Sequence, residues 1–222
     1  HISFIFRAVI FEIKKQPFSK MFSIYFEKKM IKILLLGAIS GFPWVLIGSS
    51  LSLWLKEDGL SRSTIGWAGL IFGVYAFNYL WAPLIDRIQI PILTKKIGHR
   101  KGWIVLMQLL ILVSLLFWSM TDPSENLVAV ITIGLLIAVA SATQDITVDA
   151  LRIEQIKKND AKSMAAGAAM AVVGWWSGYK LGGALSLFSA EYLQNLGLEN
   201  YWQLTFLVLG VIVILMNIGL MF

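Results

Sequence analysis

Long apolar runs separated by short clusters of charge dominate the chain from residue 31 onward. Six of them, at 31–55, 63–83, 102–120, 127–149, 164–188 and 201–222, are long enough for a helix to cross a hydrocarbon core of about 30 Å. None shows the strict alternation of a barrel strand, so helices are the spanning solution that satisfies the backbone within each segment. The pattern predicts an all-α membrane protein with six transmembrane helices spanning 31–222. Residues 1–30 differ, mixing Phe4, Ile5, Phe6, Val9 and Phe11 with Lys14, Lys15, Lys20, Lys28 and Lys29. That stretch is too interrupted to span and carries no cleavage-site pattern. It reads as a basic cytoplasmic segment, either an interfacial helix or an upstream extension with Met21 or Met30 as the start.

Composition agrees with this division. The chain is 58% hydrophobic and 14% charged, whereas soluble domains carry about 25% charged residues. With no cysteine, neither a disulfide framework nor a thiolate metal site is available, and neither metal nor cofactor is expected. The net charge of +6 would suit nucleic acid, but its distribution points elsewhere. The basic residues concentrate in the N-terminal segment, in the 86–101 connection (Arg87, Lys95, Lys96, Arg100, Lys101) and in the 151–163 connection (Arg152, Lys157, Lys158, Lys162). The alternate connections hold Lys56 and Arg62, then Asp122 and Glu125, then Glu191 and Glu199. By the positive-inside rule the N-terminus is cytoplasmic, the partner is the lipid bilayer, and no nucleic-acid partner is expected. The last run lacks a basic anchor, which predicts that the chain is part of a longer protein.

The candidate chemistry lies inside the runs. Asp145 and Asp149 stand four residues apart near the end of the fourth, so a helix puts them on one face. A carboxylate at membrane depth costs at least a few kcal/mol, about 2.5 or more, which makes the pair a functional candidate. Counting rise per residue places Asp145 about one turn inside the basic end, with Asp149 at the helix terminus. Lys180 falls past the middle of the fifth run, at a different depth, so the two acids and the lysine receive separate roles: a proton or gating network, and a contact for an anion. Gly41 and Pro43 predict a break in the first helix, either an ordinary proline kink or a cavity-lining discontinuity. Gly174, Gly178 and Gly182 form a small-residue row suited to close helix packing within the bundle, with a missing half, or with another copy. Asp86-Arg87 and Gly98-His-Arg-Lys101 bracket a connection where an acid beside a basic cluster suits a latch, with Asp86, Arg87, Arg100 and Lys101 as its parts. An intramembrane serine hydrolase is disfavoured, because Ser40 has no base: the histidines are His1 and His99, outside the runs.

These elements resemble the N-terminal half of a major facilitator superfamily transporter. Ala82 stands where the superfamily pattern has Gly, and the spacer before Gly98 is longer. More specifically, Gly37-Ala-Ile-Ser-Gly-Phe-Pro43, Leu80-Trp-Ala-Pro-Leu-Ile-Asp-Arg87, Arg100-Lys-Gly-Trp103, Ala142-Thr-Gln-Asp-Ile-Thr-Val-Asp149 and Gly178-Tyr-Lys-Leu-Gly182 are similar to AmpG-type muropeptide permeases, relatives of acetyl-coenzyme A transporters. The resemblance implies proton-coupled import of anhydromuropeptides across the bacterial inner membrane during peptidoglycan recycling. It implies proton coupling at Asp145 and Asp149, and substrate contacts from Lys180, Gln144, Trp176 and Tyr179. Lys180 occupies a position that is often Arg there. The small anionic solute and protons are the expected ligands, with acetyl-coenzyme A or another anion as an alternative solute. An inactive truncated membrane fragment is the remaining alternative, since rocking of one bundle against another needs both.

Overall fold

The computed structural model describes residues 22–156 and 160–221. Lys14, Lys15, Lys20, Met21, Lys157, Lys158 and Phe222, on which parts of the topology reading rest, lie outside them. The described chain is all-α. Helix α1 (Lys28–Glu57) is followed by a segmented rod over 62–87 containing α2 (Arg62–Ala68), α3 (Val74–Phe77) and α4 (Ala82–Arg87). Short α5 (Leu93–Ile97) leads into α6 (His99–Trp118), then α7 (Leu127–Glu154), α8 (Ala161–Asn195) and α9 (Tyr201–Met221).

Polar side chains set several helix starts. Ser61 accepts from the Thr64 amide at 3.2 Å, Asn126 from Ala129 at 3.0 Å and Asp160 from Ser163 at 2.9 Å, each filling an orphan donor of a first turn. Between α5 and α6 the chain reverses at Gly98, whose φ of 93° is a conformation only glycine adopts without strain. The longer spacer noted in the sequence is thus filled by α5.

Of the six expected spans, four are long and apolar enough to cross a membrane: α1, α6, α7 and α9. The 62–87 rod falls short because it is not one helix. Gly66, Gly69 and Gly73 weaken the α-helix, and the chain tightens into 3₁₀ turns at Gly69–Gly73 and Asn78–Leu80. Helix α8 has the length, but Gly, Ala, Ser and Lys180 dilute its hydropathy. Of the two readings of Gly41 and Pro43, a discontinuity is not what the fold has: the α-helix runs through both, and an irregularity comes a turn later, as a π-helical turn at Leu46–Ser50.

Helix α1 sits at the centre, between α8 and α7, while α9 lies against α6 and α8. The α1–α8 contact is a seam without side chains. A Cβ on Gly37 would collide with the Ala171 carbonyl, on Gly41 with that of Trp175, on Gly174 with that of Leu34, and on Gly178 with that of Ala38. The small-residue row is therefore consumed inside the bundle. Nearer the other end the core is aromatic: Trp54, Trp118 and Phe206 pack with ring centroids 4.8–5.9 Å apart, and Trp118 Nε1 donates to the Val130 carbonyl at 3.0 Å. Glu57 accepts from Tyr201 Oη at 2.8 Å and Trp202 Nε1 at 2.6 Å, tying α1 to α9 there.

Candidate transport site

The first acid of the pair, Asp145, is half-buried on α7, facing α1, and the Ser40 hydroxyl donates to its carboxylate. One residue along each helix the same two rods are joined again. Gln144 Nε2 donates to the Ile39 carbonyl at 2.8 Å, and Gln108 Nε2 of α6 donates to Gln144 Oε1 at 2.7 Å. Ile39 is the residue whose carbonyl would accept from position 43 in a regular helix, and Pro43 has no N–H to give. Gln144 supplies the missing donor, which explains why α1 continues through its proline without a break. Gln144 is fully enclosed, with both halves of its amide engaged by protein, so this expected solute contact is a brace between helices in the present conformation.

Asp145 and Asp149 line one cleft of about 320 Å³ with Gly37, Ser40, Ala171 and Trp175, as their shared helix face required. The depth assigned to them changes, however. Helix α7 runs on to Glu154, so Asp145 lies roughly 13 Å from the helix end and Asp149 does not terminate it. Exposed Asp149 pairs with Arg152 at 3.1 Å.

An aromatic row leads away from the cleft. Trp44 of α1 packs edge-on against Trp175 at 5.5 Å, and Trp175 stacks on Tyr179 at 5.6 Å with planes 10° apart. Trp176 is exposed, and Lys180 Nζ stands 5.8 Å over its ring. Lys180 lies about 7.5 Å farther along α8 than the cleft-lining Trp175. No ion pair joins it to Asp145 among the described residues. The Asp145 carboxylate is within electrostatic reach of the Tyr75 hydroxyl and the Trp44 indole. Tyr75 Oη, Trp44 Nε1 and Ser141 Oγ are buried without a hydrogen-bond partner among the described residues.

The basic connections meet at one end of the bundle. There Arg100 joins two acids from different elements, Asp86 of α4 at 2.5 Å and Glu154 of α7 at 3.0 Å. The guanidinium is 17% exposed against 57% and 55% for the two carboxylates, so Arg100 is the hub. Arg87 is exposed and makes no ion pair among the described residues, while Lys101 turns toward a different groove. Of the four residues assigned to the latch, Asp86 and Arg100 are brought together. At the opposite end, burial and then the charge of Asp122 push the Asp58 carboxyl above its ordinary range. Hydrogen bonds from Ser124 hold Asp122 below it.

Residues 33–222 match the family model described as Major Facilitator Superfamily. The chain belongs to this superfamily. Major facilitators are transporters and not enzymes. Among similar proteins is the Rickettsia felis protein named "Putative transporter AmpG 4", 35% identical over 189 residues, covering 85% of this chain and 44% of the relative. The Anhydromuropeptide permease of Escherichia coli K12 is 31% identical over 196 residues, covering 88% and 38%. The Rickettsia conorii "Putative transporter AmpG 1" is 33% identical over 167 residues, covering 75% and 39%. This major facilitator chain is thus related to AmpG-type permeases and spans less than half the length of these curated relatives.

Sequence reasoning missed Glu154, Gln108 and the structural use of Ser40. Glu154 lies beyond the 127–149 run, within the basic 151–163 connection. By residue type alone, Ser40 reads as a candidate nucleophile. Its position one residue from the carbonyl that Pro43 leaves free was the available signal.

Proposed function

We propose that this chain is the N-terminal six-helix half of a proton-coupled symporter that imports anhydromuropeptides across the bacterial inner membrane, with its N-terminus in the cytoplasm. The carrying observation is a half-buried carboxylate, Asp145, held by Ser40 of another helix and sharing a cleft with Asp149. While Asp145 is ionised, Ser40 donates to it and α7 is tied to α1. Proton uptake neutralises the acid and adds an O–H donor, so the Ser40 contact loses its charge assistance and the tie between α1 and α7 weakens. Lys180 and Trp176, with Tyr179 behind them, offer a cation and ring faces to an anionic sugar-peptide. Gln144 keeps α1 and α7 in register beside the acid. Asp86, Arg100 and Glu154 form the latch at the cytoplasmic end.

The 62–87 rod and α8 point Trp67, Leu70, Leu80, Val172, Leu181 and Phe188 outward. These outward apolar side chains fit a second bundle, on which the segmented rod and the less apolar α8 would depend for cover. The E. coli relative's name supports the choice of solute. The deciding experiment is uptake of labelled anhydromuropeptide, with acetyl-coenzyme A as comparison solute, by the full-length transporter carrying this bundle. Asp145→Asn is expected to abolish uptake driven by a proton gradient while leaving the amount of inserted protein unchanged. Undiminished gradient-driven uptake by that variant would refute the coupling role.

A further inference from the structure

At the basic end, on the side of the bundle away from the Asp145 cleft, a groove of about 340 Å³ opens between α1, α7 and α9. Its walls are almost wholly aliphatic, including Leu35, Leu36, Leu151, Ile212, Leu215 and Met216. Its rim holds three polar side chains, Lys32, Lys101 and Gln155. Both lysines are half-buried, and among the described residues neither has an acidic partner. The Gln155 Oε1 atom is buried and accepts no hydrogen bond among the described residues. Sharing Lys101 and Leu220 with the groove is a second cleft of about 290 Å³, which brings in Lys96. The groove opens sideways: Leu35 and Leu215 in its wall are 50% and 61% exposed, continuous with the outward face of α9 at Val211 and Ile218.

Lys32 and Lys101 bring two positive charges to one groove that holds no acidic side chain among the described residues. An anion at the rim would offset both. A freely soluble anion would leave the aliphatic walls without an occupant, whereas a lipid meets both halves of the site. Basic pockets between helices on the cytoplasmic side are where acidic headgroups are recognised.

We propose that this groove binds an anionic phospholipid with a hydroxylated headgroup, its phosphate between Lys32 and Lys101, a headgroup hydroxyl donating to Gln155 Oε1, and an acyl chain along Leu35, Leu36 and Leu215. The site is distinct from the acid cleft and does not depend on which solute is carried. Lys96 adds positive potential from the adjoining cleft.

The test is native mass spectrometry of the purified full-length transporter carrying this bundle, titrated with phosphatidylglycerol or phosphatidylcholine, alone and with excess inorganic phosphate. Phosphatidylglycerol adducts are expected to survive at lower lipid concentration than phosphatidylcholine adducts, and inorganic phosphate is expected not to displace them. Each of Lys32→Gln and Lys101→Gln should weaken phosphatidylglycerol about fivefold. The double Gln variant should lose the preference, and the double Arg variant should keep it, which separates charge from packing. Lys162→Gln serves as a control that leaves the preference intact. Equal retention of the two lipids would overturn the assignment, as would full retention of phosphatidylglycerol by the double Gln variant. Displacement by inorganic phosphate would make this a soluble-anion site instead. A stable dimer that binds no lipid would make the groove a seat for a second copy, and the proposal would fall.

Discussion

The side-chain amide of Gln144 donates to the carbonyl of Ile39 at 2.8 Å, standing in for the backbone N–H that Pro43 lacks. A residue on the fourth long rod thereby completes the hydrogen bonding of the first, next to the Ser40–Asp145 contact. Replacing Gln144 with Leu should cost about 1 kcal/mol of bundle stability, because interhelical hydrogen bonds in membranes are worth that order. Pro43→Ala returns a local donor for Ile39, so the loss in a Gln144→Leu, Pro43→Ala double variant should be less than the sum of the single losses. Thermal unfolding in detergent of the four proteins in this cycle checks the coupling, and strict additivity would contradict it.

The glycine seam makes a position-by-position prediction. Alanine at Gly174 or Gly178 drives a methyl group into the Leu34 or Ala38 carbonyl, backbone that has nowhere to move. Each should cost about 3 kcal/mol or more. At Gly182 the obstacle is the Phe42 ring, 2.7 Å from the added carbon, and a ring can turn, so the loss should be smaller. Gly183, adjacent in sequence, has nothing within 4 Å, and alanine there should be neutral or stabilising by up to about 1 kcal/mol. Melting temperatures of the four variants test this order.

Removing the Arg100 hub should change rate more than stability. Its acidic partners are more than half exposed, and pairs of that kind contribute about 1 kcal/mol or less. Arg100→Gln should therefore leave the melting temperature nearly unchanged yet alter the initial rate of uptake several-fold in the full-length transporter. Arg87→Gln should do neither. An equal effect of the two substitutions on uptake would place the latch elsewhere.

Asp58 gives a pH dependence at the opposite end. Burial, then the charge of Asp122, disfavours its ionised form in the folded bundle, raising its carboxyl above the ordinary 3.8. Unfolding therefore releases a proton, and the folded bundle loses stability as pH rises through and above that value. Asp58→Asn should raise the melting temperature at pH 7 and lose its advantage near pH 3, where both proteins carry an uncharged side chain. Melting curves at the two pH values decide it.

What the residues disclose in advance follows the kind of interaction. Helical periodicity put Asp145 and Asp149 on one face, and one cleft does hold both. Apolar length and charge marked the runs that became α1, α6, α7 and α9, since hydropathy acts residue by residue. The 62–87 rod escaped because its interruptions are 3₁₀ turns spread among glycines, a local matter that summed hydropathy does not register. Proline chemistry suggested a break at Gly41–Pro43, and the structure keeps the helix because a side chain 105 residues away answers the free carbonyl. Arg87 and Arg100 look alike in a basic loop. The fold brings both Asp86 and Glu154 to Arg100 and no acid to Arg87 among the described residues.

The backbone seam between α1 and α8 also orders events during synthesis. Across it, Ser50 and Ser186 meet at 2.8 Å although they stand 136 residues apart. Helix α1 is made before α8, with its glycine face bare, and three further long segments lie between the two in the chain. Until α8 is in place, Gly37 and Gly41 lack the backbone they pack against. Maturation of this bundle is therefore gated by its fifth rod, and synthesis halted before α8 would leave the central helix without the surface it was shaped to meet.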